Sequence, residues 1–235
     1  MHITPLGDSA LLVQLCERLA DEPETTLREV VAAWRKLEAA ALPGVIEVSP
    51  AYTTLSVYYD PLHVIGSAGV EKDCAKWLSE RIAAALTAPG ENSELAARLV
   101  EIPVCYGGEF GPDLTEVAGH TQLTPEEVAE RHAGAEYLVH CLGFTPGFPY
   151  LSGLPPELAA PRRASPRKEV PAGSVGIGGQ QTGIYPIASP GGWHLIGRTP
   201  LRLFDPAAET PTLLQVGDRV RFRPISAHEL EAWPR

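Results

Sequence analysis

No apolar run in the sequence approaches the ~18 residues that a bilayer-spanning helix requires, so no membrane segment is expected. The opening stretch, MHITPLGDSALLVQL, lacks the basic start and apolar core of a secretory leader, and a cytoplasmic protein is expected. Positive charge is scarce. Nineteen Lys and Arg stand against 29 Asp and Glu, a net charge of −10. That balance excludes the broad basic face of a nucleic-acid binder and gives no attraction to an anionic membrane. Four cysteines, Cys16, Cys74, Cys105 and Cys141, are scattered without a CxxC pair, and seven histidines show no HxH or HExxH spacing. Zinc sites usually begin from such local pairs, so free buried thiols and no metal are expected.

What is present divides into two textures. Over the first ninety residues, short strand candidates alternate with two helical stripes. Leu27, Val30, Val31, Trp34 and Leu37 recur at helical spacing, as do Val70, Cys74, Trp77, Leu78, Ile82 and Leu86. Leu55, Val57 and Tyr59 alternate as on a half-buried strand, and residues 10–15 and 44–49 add two more strand candidates. The polar, helix-breaking residues 88–94 read as a linker, giving an α+β domain over 1–90 and a second domain over 96–235. Fourteen of the 29 acidic residues but only 7 of the 19 basic ones precede residue 96, so the negative charge is concentrated in the first domain.

Beyond the linker, residues 99–104 read as a strand and Thr124 as the N-cap of a helix that continues through Pro125, Glu126 and Glu127. From Leu142 to Pro200 the chain holds 11 of its 22 glycines and 10 of its 23 prolines, a density that no α-helix tolerates. Val175, Ile177, Ile184, Leu195 and Ile196 are interspersed, so the segment is not disordered either. Short strands joined by tight turns are expected, in a barrel or sandwich. A last strand over 219–223 follows a Gly217-Asp218 turn, its arginines facing solvent.

Within this segment, residues 161–202 carry six basic side chains (Arg162, Arg163, Arg167, Lys168, Arg198, Arg202) and one acidic, Glu169. A positive island in an acidic protein fits either a solvated loop or an anion site, where guanidinium groups pair with carboxylate or phosphate. Gln180, Gln181, Tyr185, Trp193 and His194 lie nearby and favour the site. The glycines fit two roles, wrapping a ligand or turning barrel corners. Gly173-Ser-Val-Gly-Ile-Gly-Gly179 lacks the Lys-Ser/Thr of a P-loop and the third glycine of GxGxxG, and no GxSxG elbow marks a serine nucleophile. His140, inside an apolar strand, reads as a core histidine.

The motifs Gly7-Asp8-Ser9-Ala10, IPVCYGGEFGPDL, LGFTPGFPYL with Ser152-Gly-Leu-Pro155, Pro161-Arg-Arg163, VPAGSVGIGGQQTGIYP, SPGGW, LIGRTPL and Leu203-Phe-Asp-Pro206 span the chain. In these the chain resembles the B-subunit family of 5-oxoprolinase, also known as allophanate hydrolase subunit 1 or the Kip-type histidine-kinase inhibitor. The resemblance implies a cyclophilin-like β-barrel as the second domain. It also implies partners of the C-subunit (allophanate hydrolase subunit 2) type and the LamB/YcsF type, forming a complex that uses ATP to hydrolyse 5-oxo-L-proline to L-glutamate. Phosphorylating the lactam oxygen would make its carbonyl a better target for water, and arginines would stabilise the developing charge. On that basis Arg167, Gln181 and His194 are expected to be catalytic, and Arg163, Tyr185, Trp193 and Arg198 to bind substrate. Alternatives are a non-enzymatic inhibitor of a sensor histidine kinase, an allophanate or urea-amide hydrolase component and, from fold analogy alone, a prolyl isomerase.

Overall fold

The computed structural model describes residues 1–18, 23–68, 73–89 and 98–234. Its contacts separate into two compact units, Met1–Ala96 and Ala97–Arg235. The first has strands β1 (His2–Pro5) and β2 (Ala10–Gln14), helix α1 (Pro23–Ala40), strands β3 (Val45–Ala51) and β4 (Thr54–Tyr59), and helices α2 (Pro61–Ala68) and α3 (Cys74–Thr87). The strands form an antiparallel sheet in the order β1-β2-β4-β3. The alternation in β4 is realised, with Leu55, Val57 and Tyr59 buried on one face. They meet Val30 and Leu37 from α1 and Leu78 and Ile82 from α3 in one apolar cluster. Each such side chain removed from water contributes about 1.5–3 kcal/mol. From Cys74 to Leu86 the second helical stripe is realised in α3; Val70 lies outside the described residues, as does most of the linker stretch.

The second unit begins with β5 (Leu99–Tyr106) and helices α4 (Leu114–Thr121) and α5 (Pro125–Gly134). Strands β6 (Glu136–Leu142), β7 (Pro149–Ser152), β8 (Arg167–Val170), β9 (Ser174–Gly178), β10 (Gln181–Ile184), β11 (Ser189–Gly191), β12 (His194–Arg198) and β13 (Arg219–Pro224) follow, then helix α6 (Ala227–Glu231). Seven strands close a barrel in the order β10-β7-β6-β13-β5-β12-β9, while β8 and β11 pair separately as a two-stranded flap. The expected barrel in a two-domain α+β fold is therefore present. Within 142–200 the described helical structure is a single 3-10 turn, Pro156–Leu158. Closure depends on the parallel pairing of β13 with β5, from Arg219 opposite Leu99 to Pro224 opposite Val104. Arg219 and Arg221 do turn outward, and both bind Glu136.

Helix α5 starts as expected. Thr124 accepts a hydrogen bond from the Glu127 amide while the Glu127 carboxylate accepts one from the Thr124 amide, satisfying two otherwise orphaned donors. Helix α4 and strand β1 are not anticipated by the sequence pattern. The burial of Val117 and Ala118 shows α4 to be a short amphipathic cover on the barrel, beginning directly after a glycine-rich turn that masks its periodicity.

Among the described residues, the apolar interior of the barrel holds a polar chain built on His132. Thr182 donates to the Gly176 carbonyl (3.0 Å), so its oxygen is left to accept from His132 Nε2 (2.9 Å). His132 Nδ1 then accepts from the Tyr106 hydroxyl at 2.8 Å. This arrangement calls for the neutral Nε2–H tautomer, and burial, which penalises an imidazolium, lowers the His132 pKa to about 3. His140 is likewise buried, its pKa lowered to about 4 by desolvation.

The sign of the resulting pH dependence follows from linkage. An unfolded imidazole takes up its proton near pH 6.5, so below that value the unfolded chain binds more protons than the folded one. Stability is complete above about pH 6.5 and declines as the pH falls toward the folded-state values near 3 and 4. Each histidine adds a slope approaching ~1.4 kcal/mol per pH unit. Urea unfolding across about pH 7 to 5 should show the decline, and His132→Gln should remove roughly half of it. A flat profile would contradict two histidines held neutral.

Candidate functional site

The positive island converges on an acid. Asp113, immediately before α4, is 4% exposed. Its carboxylate accepts from Arg167 Nη1 (2.8 Å) and Nη2 (2.6 Å), from Arg163 Nη1 (3.0 Å) and from the Leu195 amide of β12 (2.7 Å). Burial alone would raise its pKa. The bonds from Arg167 and Leu195 and the charges of both arginines outweigh burial, and the carboxyl titrates below its ordinary range. The fork of Arg167 matches both carboxylate oxygens, the geometry in which guanidinium binds most strongly.

Local sequence brings these groups together. Gly107 and Gly108 adopt positive φ (70° and 55°) in the turn after β5. The Gly107 amide bonds the Ile196 carbonyl (3.0 Å) and the Asp113 amide bonds the Leu195 carbonyl (2.9 Å), so the turn lies flat against β12. Any side chain at Gly111 would run into the Ile196 backbone. Arg167 opens β8 of the flap, and Arg163 reaches Asp113 from the preceding segment, whose amide bonds the Gly192 carbonyl (2.8 Å).

The anion that Arg163 and Arg167 grip is therefore one supplied by the protein itself, and the island reads as a positioned pair rather than two free anion-binding arms. Arg163 also reaches Glu116 Oε2 (3.1 Å), one turn into α4. His194, the first residue of β12, is 1% exposed and stands beside that carboxylate, with Nδ1 3.6 Å from Glu116 Oε2. His120 meets the His194 ring edge-on, centroids 5.6 Å apart. Among the described residues, Glu116, His120 and His194 form a group able to offer metal ligands, one atom from each within 4.8 Å of the others. Asp113, Glu116 and His120 do not stand out in the sequence; the Glu-x-x-x-His spacing on α4 is the signal it offers.

The other expected site residues lie elsewhere. Tyr185 (2% exposed) and Trp193 (5%) pack with Phe148, Val170 and Leu195 in a buried cluster, so they form the wall behind the site rather than a contact surface. Two glycines make room for them: a Cβ at Gly178 would stand 2.5 Å from the Trp193 ring, and one at Gly191 would strike the Tyr185 hydroxyl. These glycines serve neither a ligand nor a corner but the seating of aromatic rings. Arg198 is at the far end of β12, about 13 Å along the strand from His194, its guanidinium 5.6 Å from the centre of the Phe110 ring. Gln181 begins β10, opposite Gly178.

A cavity of about 460 Å³ opens at the start of α4, lined by Tyr106, Gly107, Gly108, Gly111, Leu114, Glu126 and their neighbours. None of the sequence-expected site residues lines it, and it presents Glu126 and no lysine or arginine.

A sheet-and-helix unit is followed in the chain by a closed barrel, which carries two half-buried arginines on one buried carboxylate. The profile of the carboxyltransferase domain, subdomain C and D, matches residues 1–214. The chain is 47% identical to the B subunit of 5-oxoprolinase from Bacillus subtilis over 99% of its own length and 96% of that protein's. It is 44% identical to the B subunit of 5-oxoprolinase from Escherichia coli O157:H7, covering 93% of this chain and 94% of that protein. Among solved structures, TTHA0988 is similar with a TM-score of 0.75 at 38% identity; 93% of this chain is covered, and it spans 40% of that longer chain. The K. lactis urea amidolyase matches at a TM-score of 0.74 over 97% of this chain and 15% of that one; its 22% identity is evidence of shared fold alone. The chain belongs to the carboxyltransferase subdomain C and D family and, within it, to the B-subunit family of 5-oxoprolinase.

Removing the buried acid while leaving its half-buried arginines should be costly. Asp113→Ala is expected to destabilise the chain by about 2–4 kcal/mol, because Arg167 loses its two-pronged partner, Arg163 keeps only Glu116, and the Leu195 amide loses its acceptor. Arg163→Ala should cost less, since Arg167 keeps its two-pronged hold. Urea denaturation of the three proteins tests the order, and an Asp113→Ala chain as stable as the parent would show that the cluster is not structural.

Proposed function

We propose that this chain is the B subunit of an ATP-dependent 5-oxoprolinase, acting in a cytoplasmic complex with proteins of the C-subunit type and the LamB/YcsF type. The observation that carries the reading is its 42–47% identity, over 93–99% of its length, to three proteins named as B subunits of 5-oxoprolinase. The reaction opens the lactam of 5-oxo-L-proline with water to give L-glutamate. An amide carbonyl resists water, and the charge that gathers on its oxygen needs donors fixed in advance.

Asp113 supplies that fixing. It holds Arg163 and Arg167 side by side, consuming Arg167 Nη1 and Nη2 and one N–H of Arg163. The guanidinium donors left over are the ones this reading assigns to the substrate's carboxylate or carbonyl oxygen. His194 and Glu116 lie next to them. Tyr185 and Trp193 support the arrangement from behind, and no role in contacting substrate is retained for them. This reading places phosphate binding in the assembled complex rather than on this chain alone.

A second reading, an amide hydrolase acting on urea-derived substrates, is favoured by one observation. A 64-residue stretch is 45% identical to the urea amidolyase of Lachancea kluyveri. Co-expression with the candidate partner proteins, followed by measurement of glutamate released from 5-oxoproline, separates the readings. Glutamate should appear only with ATP, and Arg167→Ala should lower turnover at least tenfold with assembly unchanged. No glutamate from a fully assembled complex would overturn the proposal, and turnover of allophanate in its place would establish the second reading.

A further inference from the structure

One group beside the arginine cluster is left without a partner. Among the described residues, neither ring nitrogen of His194 has a hydrogen-bond partner, although the side chain is only 1% exposed. Its 3.6 Å separation from Glu116 is too long for a hydrogen bond. Buried polar side chains nearly always find partners, because an unpaired one gives up its hydration without replacement. His194 is also held in place. Asp113 bonds both the amide and the carbonyl of Leu195, the next residue, and His120 lies against the imidazole edge.

Glu116 and His120 are four residues apart on α4 and so share one face of the helix. That face lies over the start of β12. In a four-coordinate zinc site with bonds of about 2.1 Å, ligand atoms stand about 3.4 Å apart. The Glu116–His194 pair is already near that span, and the three ligand atoms all lie within 4.8 Å of one another. Glu116 and His120 are exposed, so side-chain rotation suffices to close the remainder.

We infer that Glu116, His120 and His194 form a binding site for a zinc-type divalent ion, with a fourth position open to solvent. Two imidazoles and one carboxylate select such an ion over magnesium or calcium, which prefer all-oxygen shells. Arg163 remains compatible. A carboxylate offers about four acceptor positions on two oxygens, so Glu116 accepts from Arg163 and ligates the ion at once. The guanidinium then orients the ligand in the manner of an outer-shell partner. Its positive charge opposes the ion, and Asp113 offsets that charge. The bound ion satisfies the buried imidazole and ties α4 to β12.

The test uses the full chain, stripped with chelator and titrated with Co²⁺ and with Zn²⁺, and needs no substrate or partner protein. One ion should bind per chain, with the visible ligand-field bands of four-coordinate cobalt and no thiolate charge-transfer band. Zinc should raise the melting temperature. His120→Ala changes an exposed residue and leaves the fold intact, while His194→Gln keeps a polar group in the buried position. Each should weaken binding at least tenfold and abolish the melting shift. Absence of the cobalt spectrum in the parent chain would overturn the inference. So would unchanged affinity in His120→Ala, or a thiolate band showing that the ion had gone to a cysteine.

Discussion

A single buried carboxylate organises one face of the barrel unit. Asp113 sits where three chain segments meet: the turn leaving β5, the flap that carries Arg167, and the edge of β12 at Leu195. None of these segments is long enough to build a core of its own. Their mutual placement depends on charge-assisted hydrogen bonds that gain strength because the acceptor is removed from water. The same burial makes the arrangement vulnerable, since without the acid Arg167 and the Leu195 amide both lose a charged acceptor that water only partly replaces.

Behind that face the barrel is closed by chemistry of a different kind. The pairing of β13 with β5 brings the two ends of the unit together, and the interior is filled by aliphatic and aromatic side chains from every strand. Into this interior the fold admits one polar chain, Tyr106–His132–Thr182, in which each donor meets an acceptor. His132 is thereby fixed as a neutral imidazole. His194, equally buried at the barrel's edge, has no such chain, and the contrast between the two histidines marks one as architecture and the other as available for a ligand.

Much of the architecture was readable from periodicity and turn chemistry. The stripe Leu27–Leu37 became α1, the alternation Leu55–Val57–Tyr59 became β4, and the Thr124 cap opened α5. In each case the pattern records a local rule, because an element with one apolar face must repeat at its own period. The density of glycine and proline over 142–200 likewise announced strands and turns. Helix α4 escaped because it has only eight residues and follows Gly107, Gly108 and Gly111, which read as loop. From Cys74 onward the second helical stripe became α3.

The site was only half legible, and the reason is physical. Composition alone located a cluster of arginines, and motif resemblance alone located the family. What the arginines hold lies about fifty residues upstream in Asp113, and an ion pair between distant segments leaves no periodic trace in the chain. In the same way Glu116 and His120 acquire meaning only when β12 delivers His194 opposite them. Tyr185 and Trp193 looked like ligand contacts because aromatic residues near arginine suit small polar molecules. Tertiary packing instead turned them inward, against glycines that exist to receive them. The sequence by itself determined which segments become strands and helices, since those depend on neighbours along the chain. Which side chains meet was decided only when the barrel closed, because closure alone sets distances between residues that the chain keeps far apart.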